Sequence, residues 1–170
     1  LAVGQKLLGK TFDVISDDIA KLYQQGRDSI IERATAKVGN KDDGKSANLR
    51  VTRDVFWNGS FTDEAICAEY FGGILASSRS ADGKDDSGVY YVDLIKSLSA
   101  NQLKLHYLIY TALNGMLRAN PDKTKLNPGQ ESELASETAF LAMAELLKIT
   151  GDDDIGRDMH ALHAKRLIGN

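Results

Sequence analysis

Residues 103–117, Leu-Lys-Leu-His-Tyr-Leu-Ile-Tyr-Thr-Ala-Leu-Asn-Gly-Met-Leu, constrain this chain more than any other stretch. Their apolar side chains fall on every side of a helical wheel, and a helix that is apolar all round has to be buried all round. A bilayer needs about 20 consecutive apolar residues, more than this run supplies, so other helices of the same protein must cover it. The expected fold is therefore all-α, a single-domain bundle of about six or seven helices around this central one.

The rest of the composition agrees with one core. At 170 residues, with 42% apolar and 26% charged content, the chain has the size of one globular domain. A formal charge of −3 lacks the basic excess that phosphate-backbone binding leaves in a sequence, so general nucleic-acid binding is not expected. The lone cysteine, Cys67, cannot make an internal disulfide, and no Cys/His zinc spacing is present. A reducing, cytoplasmic setting is the expectation, with no signal peptide and no transmembrane segment. The only prolines, Pro121 and Pro128, leave long helices free to run elsewhere.

Leu8, Phe12, Ile15, Ile19 and Leu22 alternate spacings of four and three, with Lys and Asp between them. This is an amphipathic helix with one apolar seam, and Ile30, Ile31, Ala34 and Val38 resume it beyond Gly26. Residues 1–38 are read as a long helical arm, bent or in two pieces, and 46–170 as the core bundle. The first reading of the seam is a long helix packing on the core; where it exceeds what one small core covers, the remainder would be buried by self-association or in a protein partner.

Residues 39–45 carry no apolar side chain and read as a mobile loop. Ser46 or Asn48 then caps a helix over 49–57, ended by Asn58-Gly59. Ser60-Phe61-Thr62-Asp63 resembles a capping box for a helix carrying Ile66, Cys67, Tyr70, Phe71, Ile74 and Leu75. Gly72 and Gly73, in the same turns, mark close approach by another helix, and this helix is expected to lie directly against the central one. The polar loop 77–88 precedes a helix with Val92, Ile95 and Leu98, and Ser99-Ala100-Asn101-Gln102 is a capping box for the central helix. Asn120-Pro121 and Asn127-Pro128-Gly129 frame a turn. Leu134, Phe140, Leu141 and Leu147 belong to the next helix, and Ile155, Met159, Leu162 and Leu167 mark the buried face of the last.

Chemistry-bearing residues are sparse. Arg79, Asp82, Asp85 and Asp86 in the 77–88 loop are the candidate binding residues, with Arg79 suited to a phosphate or carboxylate. The loop fails the EF-hand pattern, because Lys84 and Ser87 stand where an oxygen ligand and a glycine are required. His160 and His163 share a helix face near several aspartates, yet two surface histidines fall short of a metal site, and no metal or cofactor is expected. His106 reads as a core histidine with a hydrogen-bond partner, and Cys67 as a packing residue. No phosphate-cradling loop, zinc-peptidase motif or serine-hydrolase elbow is present, so an enzyme is the weaker reading.

The middle of the chain also resembles a known family. Leu49-Arg50-Val51 through Val55, Asp63-Glu64, the run 69–78 (Glu-Tyr-Phe-Gly-Gly-Ile-Leu-Ala-Ser-Ser), then 91–99 (Tyr-Val-Asp-Leu-Ile-Lys-Ser-Leu-Ser) and Gln102-Leu103 look like the abortive-infection alpha (Abi-alpha) pattern. There, a helix ending in a Leu-Leu-Ala-Ser-like run precedes a Phe-Val-x-Ile-Ile-x-x-Leu-Ser helix start. The resemblance implies a helical bacterial protein linked to phage defence through host shutdown, and it carries no catalytic motif. The resulting expectation is a non-catalytic helical interaction or regulatory module. The alternative is a hydrolase-like or nucleotide-handling enzyme that uses the 77–88 loop.

Overall fold

The computed structural model describes residues 10–39, 42–62, 64–119, part of 129–148, and 155–168. The fold is all-α. Six helices with defined bounds stand among the described residues: α1 (Lys10–Lys37), α2 (Leu49–Gly59), α3 (Ala65–Ser77), α4 (Gly88–Lys96), α5 (Ala100–Ala119) and α6 (Ile155–Ala164). Two short strands, β1 (Ser46–Ala47) and β2 (Arg79–Ser80), pair antiparallel. The described positions between 129 and 148 are helical too. The chain gathers into two compact units, divided between Leu98 and Ser99.

In the first unit α1 is one uninterrupted helix of 28 residues, about 42 Å long at 1.5 Å per residue. Gly26 does not break it. A Cβ there would lie 2.1 Å from the carbonyl oxygen of Ser60, so the glycine lets the α2–α3 turn press on the helix backbone. α1 packs most extensively on α3, so the helix that approaches Gly72 is α1 and not the expected central helix; α3 also meets α2 and α4. Ile30, Val51, Val55, Phe71, Ile74, Val92 and Ile95 form the shared core. Each such burial contributes about 1.5–3 kcal/mol relative to exposure.

Local signals set the helix ends. Asn48 caps α2, its side-chain oxygen accepting from the N–H groups of Arg50 (2.9 Å) and Val51 (3.3 Å). The expected capping box at 60–63 takes another form: Glu64 is the N-cap of α3 and makes no side-chain cap, while the Thr62 hydroxyl accepts from the Glu64 N–H. Asp63 lies outside the described residues.

The second unit contains α5 and α6, which pack together. Its capping box forms reciprocally: the Gln102 N–H donates to Ser99 Oγ at 3.2 Å, and the Ser99 N–H donates to Gln102 Oε1 at 3.1 Å. Leu103 and Leu105 are buried at 1% and 0% exposure, as a core helix requires. Burial does not extend round the whole helix, however, because Tyr107 and Tyr110 are exposed. Both carry a hydroxyl that hydrates readily, and a helix wheel that counts them as apolar overstates what must be hidden. On α6, Ile155 and Leu162 are buried and Met159 is half-buried, as is Leu167 just beyond the helix end. The prolines at 121 and 128, with Leu134, Phe140 and Leu147, lie outside the described residues.

Candidate functional site

Within the first unit, two polar segments expected as separate loops close on each other as a clasp. Ser46 pairs with Ser80 and Ala47 with Arg79 across the two-stranded bridge. Arg79 Nη2 donates to Asp43 Oδ1 at 2.5 Å and to the Lys45 carbonyl at 3.1 Å. Asn48, already capping α2, donates through Nδ2 to the Gly83 carbonyl at 3.1 Å. Arg50 meets Asp86 at 3.3 Å.

The acidic candidates are held within this clasp. Asp82 accepts from the Lys84 N–H and the Ser80 hydroxyl, and Asp85 from the Ser87 N–H. The backbone N–H of Lys84 and then the Ser80 hydroxyl hold the Asp82 carboxyl below its ordinary value. Ser87 does the same for Asp85. For Asp43 the leading cause is the Lys45 N–H, with the charge of Arg79 adding to it. Arg79, Asp82, Asp85 and Asp86 thus all stand in one clasp, and each answers another group of this chain. Sequence reasoning missed Asp43 and Lys45, because nothing in the polar run 39–45 distinguishes the residue that meets Arg79 from its neighbours.

Behind the clasp lies a cleft of about 420 Å³ between α1, the end of α3 and the strand pair. Ile31, Ala34, Val38, Ala47, Leu75 and Ala76 give it an apolar wall, and Lys45 and Arg79 also line it.

The second unit offers less chemistry. His160 and His163 are both exposed, and no group of three potential metal ligands occurs among the described residues. His106 is half-buried. Burial lowers its pKa below the ordinary histidine value, against the opposing effect of a hydrogen bond to the Leu167 backbone. The expected hydrogen-bond partner is present, but the ring is half-buried and not in the core. Asp158 is a buried acid that sequence reasoning passed over: it is 2% exposed, and Oδ1 accepts from Gln102 Nε2 at 3.1 Å. Gln102 therefore serves both its cap and this carboxylate. Cys67, in the first unit, is half-buried on α3.

A third feature is an uncovered apolar surface on the first unit. Residues 17–22 of α1 are helical and exposed at every position, including Ile19 at 49% and Leu22 at 44%. The surface continues through Tyr23, whose ring centroid is 5.5 Å from that of Phe61, and on to Trp57, 5.9 Å from Phe61. Trp57 is 69% exposed. The side chain of Phe12 lies outside the described residues.

Among the described residues no helix is long and apolar enough to cross a membrane. No family model, curated protein or solved structure matches this chain.

Proposed function

We propose that this protein is a non-catalytic helical interaction module that works by joining a second copy of itself through the first half of α1. The observation that carries the reading is that helical residues 17–22 are exposed at every position, the seam residues Ile19 and Leu22 by nearly half of their surface. A helix exposed on all faces has no need of Ile19 and Leu22, and isolated helical segments gain little stability without packing. Leu8, Phe12, Ile15, Ile19 and Leu22 alternate spacings of four and three, the repeat by which two helices interlock side by side. Such a seam fits its own copy. Between Lys6 and Leu22 three lysines (Lys6, Lys10, Lys21) offset three aspartates (Asp13, Asp17, Asp18), so no net charge opposes the pairing. Tyr23, Phe61 and Trp57 extend the surface with the residue types that anchor interfaces.

We read the setting, on the Abi-alpha resemblance, as cytoplasmic, bacterial and regulatory, with phage defence as the context. The enzyme reading through the 77–88 loop has less support, since Asp86 is ion-paired and Asp82 and Asp85 are spent on turns.

The test compares wild type with Ile19→Asp/Leu22→Asp by sedimentation velocity and circular dichroism. Because neither position belongs to the buried core, the variant keeps a cooperative thermal transition, while a wild-type dimer becomes monomeric. A wild type that stays monomeric at every concentration, or a variant that still dimerises, overturns the proposal.

A further inference from the structure

The cleft behind the clasp is independent of the α1 seam, and its chemistry specifies a ligand. We infer that it binds a small amphiphilic carboxylic acid, with the apolar body against Ile31, Val38 and Leu75 and the carboxylate at Lys45 and Arg79. Small-molecule sites have volumes of about 300–1,000 Å³, mostly apolar walls and a few polar groups that fix orientation. This cleft has about 420 Å³, an apolar wall from α1 and α3, and two cationic side chains. No acid lines it among the described residues, so an anionic head is favoured over a cationic one.

The two cations are differently committed. Arg79 is only 17% exposed, and among the described residues the clasp holds it through Nη2. A guanidinium has five N–H donors, so Nε and Nη1 remain for a ligand oxygen. Lys45 is exposed, and its ammonium makes no ion pair among the described residues. Asp43 answers Arg79 directly and also feels the charge of Lys45, so the two cations at the cleft face one acid and leave a net positive charge there. Asp43 also orients the guanidinium that a ligand would meet. A purely polar anion would leave the apolar wall wet, and a neutral alcohol would leave Lys45 unanswered. A carboxylate with an apolar tail satisfies both.

The experiment titrates the full chain with decanoate, decanol and decyltrimethylammonium below their micelle concentrations, following the methyl NMR signals of Ile31, Val38 and Leu75. Decanoate should bind saturably at one site and shift those methyls. Decanol should bind about tenfold more weakly or worse, as expected for loss of a charge-assisted contact, and the cation should not bind. Lys45→Glu, an exposed change, should weaken decanoate about tenfold or more for the same reason. Thr35→Trp, which fills the cleft from α1, should abolish binding, and the wild-type methyl map locates the site if that variant does not fold. Absence of saturable decanoate binding, equal binding of decanol, an unchanged affinity in Lys45→Glu, or shifts confined to other methyls each overturn the inference.

Discussion

Gly72 and Gly73 are adjacent in α3 and have opposite obligations. A Cβ on Gly72 would lie 2.6 Å from Arg33 Cβ and 2.9 Å from the Ala34 backbone nitrogen, whereas one on Gly73 would meet only the Lys37 side chain at 3.7 Å or beyond. Gly72→Ala should therefore cost about 1–3 kcal/mol, as overpacking does. Gly73→Ala should stabilise by up to about 1 kcal/mol, the helix-propensity difference. Urea unfolding of the two variants checks both signs. Sequence reasoning treats the pair alike, because helical periodicity does not say which backbone a neighbouring helix touches. At Asp43 the question is one of pH. Its carboxyl is held below the ordinary value by the Lys45 N–H and by Arg79. The clasp it supports is fully present above the unfolded-state pKa and weakens as pH falls through the lower folded one. Thermal melts across the acid range should show a loss in wild type that is smaller in Asp43→Asn; identical pH profiles would mean that Asp43 does not contribute.

Among the elements, the helices were legible wherever the signal was local. The seam spacing specifies α1, and Ser99-x-x-Gln102 caps α5 as its spacing requires. The strand pair β1–β2 was not legible, because its two residues on each side show no alternation and their partners lie more than 30 positions apart. For the same reason a sequence reading took 77–88 as a free loop, although Arg79, Gly83 and Asp86 are tied to Asp43, Asn48 and Arg50. Asn48 tests that tie at the scale of the element. Asn48→Ala removes the α2 cap together with the bond to Gly83 and should cost about 1–2 kcal/mol. Asn48→Asp keeps the capping oxygens while losing the Nδ2 donor, so it should fall between Ala and wild type. If Asp and Ala are equally destabilised in urea unfolding, the cap is not what Asn48 supplies.

For the whole molecule, apolar patterning was enough to specify an all-α chain, and it placed Val51, Val55, Phe71, Leu103 and Leu162 inside. It did not specify the division into units at Leu98 and Ser99, which depends on which helices meet and not on how apolar each one is. The same patterning leaves one surplus, the seam of α1 that residues 17–22 carry half exposed. The claim that a second copy provides this cover is tested most directly by amide hydrogen exchange of the wild-type chain at low and high protein concentration. The account predicts that protection of residues 17–22 rises with concentration while that of buried Val92 on α4 does not change. Protection at 17–22 that is independent of concentration would contradict it.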